Sequence, residues 1–353
     1  MNDTKHLDLD IKLTQHSHGA GCGCKIAPAD LEKILASTLG TLPDPRLLVG
    51  YGSRDDAAVY DIGGGRALIS TTDFFAPIVD DAFDFGRIAA TNAMSDVYAM
   101  GGTPLMAVAI LGWPLQKLGP ELAAQVVEGG RRACHDAGIP LAGGHSIDAP
   151  EPFFGLAVTG EVEIAHIKRN DTAQDGDVLL LTKPLGIGVL STAQKRGKLR
   201  PGHANIGRDL MVMPNKVGAE LGRLEGVHAL TDITGFGLLG HLAEMCAGSG
   251  LRARINYADV PLIPESRDYV KEGCYADGAL RNWKSLSTKV MGVEGLEPLM
   301  LLNDPQTSGG LLIACNSSFV DKITSLVENS GSTAHCIGAL EKADGTSMIE
   351  VLS

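Results

Sequence analysis

Asp56-Ala57-Ala58-Val59-Tyr60-Asp61-Ile62, then Gly63-Gly64-Gly65, then Ala67-Leu68-Ile69-Ser70-Thr71-Thr72, places two strand-like segments on either side of three glycines. This pattern predicts an antiparallel hairpin, because glycine supplies the left-handed turn that joins two twisted strands. Asp55 and Asp56 open the first strand and Asp73 closes the second. Folding about the glycines brings Asp56 and Asp73 to one end of neighbouring strands, roughly 5 Å apart in backbone when the register is right.

Working outward, Gly86 to Met100 has helical spacing and stops at Gly101-Gly102, as a glycine C-cap predicts. Asp96 lies inside this helix, where aspartate is a poor choice, and Asn92 one turn earlier shares its face. A strand over Leu105–Leu111, a helix over Pro120–Ala137 and a strand over Phe154–Val162 complete an α+β first domain, residues 28–165. Pro28 starts a short helix over Ala29–Thr38. The polar segment His166–Asp177 reads as a linker. The second domain, 178–353, begins with strand Val178-Leu-Leu-Leu-Thr and a long helical region. Strand Val227–Leu230, a helix over Phe236–Ala247 and strand-like runs near Arg252–Ile255, Gly310–Ala314 and Ala334–Ile337 follow.

Asp232 follows the short strand of the second half and precedes Gly235-Phe236-Gly237. No lysine stands beside Asp56, Asp96 or Asp232 in the chain. Repelling carboxylates gathered at element ends suggest a site for a hard cation such as Mg²⁺, which takes one or two carboxylates together with phosphate oxygens. No Walker-type G-x-x-x-x-G-K-[ST] is present, so an ATP site would be of another kind.

The chain has 353 residues, enough for about two domains with their own cores. A formal charge of −12 disfavours nucleic-acid binding, which is built on basic surface. The N-terminus lacks the apolar core of a signal peptide, and no apolar run approaches the roughly 20 residues of a membrane span. Seven cysteines without a paired framework fit a reducing cytoplasm.

Residues 1–27 read as a mobile glycine-rich arm carrying Cys22-Gly23-Cys24-Lys25. Thiols on such a backbone, beside a cation, predict exposed and reactive groups, because the thiolate is the nucleophile. A zinc clip with His16 and His18 is disfavoured, since structural sites offer C-x₂₋₄-C rather than C-x-C. Gly235-Phe236-Gly237-Leu238-Leu239-Gly240, with Asp259 about twenty residues on, fits a dinucleotide fingerprint and supports a nicotinamide- or flavin-linked thiol oxidoreductase as a rival. Pro261 and Pro264 interrupt what would be its next helix. A non-catalytic metal carrier, whose thiols bind without turnover, is the other alternative. Cys134, Cys246, Cys315 and Cys336 read as buried packing residues, Cys274 as an exposed loop residue, and His241 as structural.

His18-Gly-Ala-Gly-Cys22-Gly-Cys24-Lys25, Arg54-Asp-Asp-Ala-Ala-Val-Tyr, Ser70-Thr-Thr-Asp73, Arg87-Ile-Ala-Ala-Thr-Asn-Ala-Met-Ser-Asp96, Leu141-Ala-Gly-Gly-His145-Ser146, Thr231-Asp-Ile-Thr-Gly-Phe-Gly and Asp304-Pro-Gln-Thr-Ser-Gly-Gly310 together resemble the selenophosphate synthetase (selenide, water dikinase) family. The resemblance runs from about Leu13 to the C-terminus. The thiol arm separates this family from the wider group of aminoimidazole ribonucleotide synthetase-like ATP-users.

The resemblance implies a two-domain α+β fold of that wider type, with a C-terminal α/β domain. The N-terminal strands would form a shared barrel in a homodimer. It implies an enzyme that converts ATP, selenide and water into selenophosphate, AMP and phosphate, with a selenium-delivery protein as a possible partner. Cys22 and Lys25 match the catalytic positions, and Asp56, Asp96 and Asp232 match the magnesium ligands. Lys25, Ser53, Arg54, Asp55, Asp73, Asp96 and the Gly144-His145-Ser146 turn match nucleotide contacts, the turn reaching across the dimer. Ser53 stands where the family has threonine, which keeps the hydroxyl. The region Trp283 to Leu299 matches less well. Cys24 ranks below Cys22.

Overall fold

The computed structural model describes residues 11–26, 31, 33, 34, 42–50, 52, 55–345 and 347–352. The expected helix Ala29–Thr38 falls largely outside this set, and Ser53 and Arg54 lie wholly outside it.

The first domain is built on a sheet of β1 (Leu47–Val49), β2 (Ala58–Gly63), β3 (Arg66–Phe75), β4 (Thr103–Trp113), β5 (Leu141–Asp148) and β6 (Phe153–Glu163), in the order β1-β2-β3-β6-β4-β5. The glycine hairpin forms as expected, with Ala58 opposite Ser70 and Val59 opposite Ile69. Gly63, Gly64 and Gly65 take φ of 85°, 67° and 76°, where a side chain would be strained. Asp56 and Asp73 therefore sit at the same end of the sheet.

Helix α1 (Ala82–Ala99) begins one turn earlier than its spacing predicts, because the Asp81 side chain accepts the Asp84 N–H at 2.7 Å and caps it. It crosses the sheet beside α2 (Leu115–Ala137), which breaks at Gly119 just before the expected start at Pro120. A Cβ on Gly86 would lie 1.8 Å from the Val126 oxygen, and one on Gly129 1.9 Å from that of Phe83. These glycines let the two backbones touch. Almost every residue of α1 from Ile88 onward is buried, polar ones included, since its other face meets the second domain.

One expectation is corrected here. Gly144, His145 and Ser146 are not a turn but the middle of β5, parallel to β4, with Ile110 opposite His145. Two glycines and polar neighbours hid the strand from a propensity reading. Its backbone completes the sheet edge, and nearly all its side chains are exposed.

The second domain carries β7 (Val178–Leu181), β8 (Val227–Asp232), β9 (Leu251–Asn256), β10 (Val290–Met291), β11 (Leu311–Cys315), β12 (His335–Lys342) and β13 (Ile349–Leu352), ordered β10-β13-β9-β12-β7-β11-β8. Among the described residues of this sheet the β10–β13 and β13–β9 pairs are parallel and the other strand pairs antiparallel. Central β7 and β11 are apolar throughout, as strands covered on both faces must be. Helices α3 (Ile187–Lys195), α4 (Gly237–Ser249) and α5 (Asp277–Leu286) flank the sheet. The joining segment 166–177 is itself packed: Lys168 is buried and donates to the Leu224 and Val227 carbonyls at 3.0 and 2.7 Å. No helix among the described residues is long and apolar enough to cross a membrane.

Candidate active site

One face of α1 assembles the site. Asn92, Ser95 and Asp96, spaced i, i+3, i+4, point together toward β3 and the second domain. Asn92 donates to Asp73 at 2.5 Å, Ser95 to Asp232 at 2.5 Å, and Thr71 to Asp96 at 2.5 Å. Across the domain boundary Thr231 donates to Asp56 at 2.9 Å. Asn215 fixes Ser95 by donating to its hydroxyl and to the Gly309 carbonyl, both at 2.8 Å. Each acid is thus held by a neutral donor that leaves lone pairs free.

The acids pay for their proximity in proton affinity. Burial, followed by repulsion from Asp73 and Asp232, pushes Asp96 well above the carboxylate range. Burial and the charges of Asp232, Asp55 and Asp96 do the same to Asp56. Asp232 is pushed up to about 6 by burial, opposed by Ser95 and Lys25. Asp55 reaches about 7 through burial, opposed by the Asn170 and Asp56 N–H groups. One buried oxygen on each of Asp55 and Asp56 has no hydrogen-bond partner among the described residues. Orphaned oxygens and mutual repulsion are what a hard cation would relieve. Among the described residues no three acidic, thiol or imidazole side chains converge into a ready-made cage. The donor set therefore suits an ion that completes its shell with phosphate oxygens and water.

Above the acids lies the helical turn Gly21–Cys24. The expected exposed thiol is corrected: Cys22 is 2% exposed. Its N–H donates to Thr307 at 2.9 Å and its thiol to Asn92 at 3.5 Å. The glycines around it serve close packing. Gly21, at φ 51°, donates to the Ala76 carbonyl, and a Cβ there would lie 2.4 Å from the Thr307 hydroxyl. The expectation that Lys25 favours the thiolate is corrected too. Burial, then Asp73, push the Cys22 thiol up and outweigh Lys25. Lys25 is engaged with Asp73, 3.6 Å away, and that carboxylate is the main reason its ammonium holds its proton more tightly. A cavity of about 290 Å³ opens beside Cys22, Lys25 and Asp73, walled by Phe74, Phe75 and Phe153.

Several contributors escaped the sequence reading. Lys183 is buried at the end of β7, donating to the Met213 and Ser308 carbonyls at 2.7 and 2.8 Å. Burial lowers it to about 7; a lysine closing an apolar strand was the available signal. Ser308, at φ 49°, turns its N–H onto Asn92 at 2.7 Å. Asp304 is fully buried and accepts the Gly188 and Val189 N–H groups at the start of α3, at 2.8 and 3.3 Å. Burial pushes it up to about 7.

Because Asp304 rises above its ordinary value of about 4, the native chain between about pH 4 and 7 holds a proton that the unfolded chain has lost. Stability from this group therefore falls as pH rises through that window. Asp304→Asn is expected to melt higher relative to wild type at pH 8 than at pH 5. Thermal denaturation at both pH values checks this, and a gap that stays constant would refute it.

The dinucleotide reading is corrected. β8 is an edge strand paired antiparallel with β11, not the opening of a parallel unit. Its glycines serve packing: a Cβ on Gly235 would lie 2.7 Å from the Cys22 carbonyl, and one on Gly237 2.7 Å from Asn303 backbone. His241 is structural as expected, its Nε2 accepting the Thr234 N–H at 3.1 Å while burial lowers it to about 3. Cys134, Cys246 and Cys315 are buried as expected, whereas Cys274 is buried and Cys336 exposed, the reverse of their expected places.

The structure brings Cys22, Lys25, Asp56, Asp73, Asp96 and Asp232 together, with Asp55 alongside. Gly144, His145 and Ser146 stand apart on β5, separated from β3 by β6 and β4.

Residues 54–162 match the model of the AIR synthase related protein N-terminal domain, and 174–350 that of its C-terminal domain. The chain is 56% identical over 342 residues to "Selenide, water dikinase" of Aeromonas salmonicida, covering 97% of this chain and 99% of that protein. It is 56% identical over 343 residues to the protein of the same name from Yersinia pestis, covering 97% and 98%. Among solved structures, thiamine-monophosphate kinase from Stenotrophomonas maltophilia shares the fold at TM-score 0.63 and 21% identity, covering 88% of this chain and 92% of that one. Hydrogenase maturation protein HypE in complex with ATP does so at TM-score 0.64 and 21% identity, covering 97% and 94%.

Proposed function

The chain belongs to the selenide, water dikinase family and makes selenophosphate from selenide, ATP and water, releasing AMP and orthophosphate; from that premise we propose how its own residues divide the work. Asp56, Asp96 and Asp232 would hold Mg²⁺, which supplies neutralisation of triphosphate oxygens when bound. Asp55, Asp73 and Lys25 contact the nucleotide, with Ser53, Arg54 and, across a dimer, Gly144, His145 and Ser146. Cys22 receives or positions selenium. The observation that carries this reading is Asn92, whose amide holds Asp73 through its nitrogen and accepts the Cys22 thiol at its oxygen.

Phosphoryl transfer needs positioning and charge neutralisation more than covalent help. Selenide is already an anionic nucleophile, so the protonated state of the covered Cys22 thiol is no obstacle to it. Selenium forms a bond to phosphorus as the bridging oxygen leaves with its electron pair. Water then cleaves the remaining anhydride to give AMP and orthophosphate. Lys25, kept charged by Asp73, is available to the phosphate oxygens, and the Gly21–Cys24 turn excludes water until the second cleavage.

The exposed edge supports a homodimer in which first-domain strands complete a shared barrel. Leu105, Met106, Val108 and Ile147 of β4 and β5 are each more than a third exposed, an apolar face laid bare at this edge of the sheet. The described cysteines are free thiols, which suits a cytoplasmic location.

The test resolves the products of ATP and Mg²⁺ incubated with and without selenide, by ³¹P NMR. Equal AMP and orthophosphate with a selenium–phosphorus species is expected, and EDTA should abolish all three. ADP alone would indicate a simple kinase, and no turnover a carrier.

A further inference from the structure

A second cavity, of about 610 Å³, lies between the Gly21–Cys24 turn and helices α3 and α5 of the second domain. None of the clustered aspartates lines it. Among the described residues its walls carry Lys195, Arg196 and Arg281, with Lys25 whose charge is shared with Asp73 outside the cavity, against one lining carboxylate, Asp277. In a chain of formal charge −12 this is a concentration of positive charge. Arg196 donates to the Gly273 carbonyl at 2.7 Å and Arg281 to the Gly23 carbonyl at 2.9 Å. Carbonyl partners satisfy N–H groups without cancelling the charge. Lys25 and His18 line both this cavity and the smaller one beside Cys22 and Asp73.

On the reading that this chain makes selenophosphate, we infer that the larger cavity is a binding vestibule for a small chalcogenide anion, hydrogen selenide, separate from the path of the nucleotide. An acidic protein repels selenide, and so does a bound triphosphate. A pocket lined by one sign of charge offsets both effects by focusing the field and raising the local anion concentration. Lys25 stands at the junction, so an anion gathered there is one side chain away from both Cys22 and the phosphates. The cavity of about 610 Å³ far exceeds the size of a diatomic HSe⁻ anion, so the ion arrives hydrated and sheds water at Lys25. Arg196 is exposed and holds no part of the thiol turn, which makes it the clean probe of charge.

The test measures kcat/KM for selenide and KM for ATP separately in the full-length enzyme, at low ionic strength and in 0.5 M salt, where exposed charges are screened to about 3–5 Å. Arg196→Gln and Arg281→Gln are expected to lower kcat/KM for selenide by about 3- to 10-fold each at low salt. The deficit should shrink at high salt, KM for ATP should stay within about twofold, and Arg281→Lys should recover most of the loss. Unchanged selenide kinetics would overturn the inference. So would a parallel rise in KM for ATP, which would make the arginines supports of the thiol turn. An effect confined to inhibition by added orthophosphate would overturn it as well, marking a product exit. If wild type forms no selenium–phosphorus product, the functional reading fails rather than the vestibule.

Discussion

Cys22→Ser is expected to lower selenophosphate synthesis by at least about 10²-fold, the scale of loss when a reacting group is misplaced, while nucleotide affinity stays within about twofold. Serine keeps the backbone N–H on Thr307 and offers a hydroxyl to Asn92, so the turn Gly21–Cys24 should still close. What it loses is the polarisable sulfur. The acids sit just before β2 and on β3, α1 and β8, and need nothing from the thiol to bind nucleotide. Product formation followed by ³¹P NMR, with nucleotide binding by calorimetry, separates the two effects. Synthesis at the wild-type rate would remove Cys22 from the chemistry, and a large loss of nucleotide affinity would make it a support of the pocket.

The second large effect has opposite signs in stability and activity. Asp232→Asn is expected to raise the melting temperature of the metal-free protein by roughly 1–2 °C, corresponding to about 1 kcal/mol in a chain of 353 residues. Its turnover should fall by at least about 10²-fold, as when one preorganised electrostatic group is removed. Burial pushes Asp232 up to about 6, with Asp73 adding repulsion. Being raised, the group binds its proton more tightly in the native state, so its contribution to stability declines as pH climbs from about 4 to 6 and stays low above that. Asparagine has no charge to bury and removes the decline. Mg²⁺ with ATP should stabilise wild type by mass action and stabilise the variant far less. A variant that melts lower without metal, or that keeps wild-type turnover, would refute the assignment.

The hairpin around Gly63–Gly65, helix α1, the second-domain strands β7, β8, β9, β11 and β12 and the placing of acids at element ends were legible in the chain, whereas the short β10 and β13 were not. Each depends on residues within about a dozen positions: glycine conformational freedom, 2.0 or 3.6 periodicity, a cap. β5 was illegible because Gly143, Gly144 and His145 have no strand propensity of their own. Partners on β4 hold them there. The glycines of Gly235–Gly240 looked like a phosphate loop because the sequence pattern of a turn does not say what presses on it.

Residue order alone specified the two α+β layers, the acids and a thiol beside a lysine, since those follow from local chemistry. Folding decided the state of that thiol. Cys22 meets Asn92 across 70 residues and Thr307 across 285, and these contacts, with burial, turned an expected exposed thiolate into a covered thiol. Solvation and charge coupling are summed over everything nearby in space, so only the assembled domains could set them.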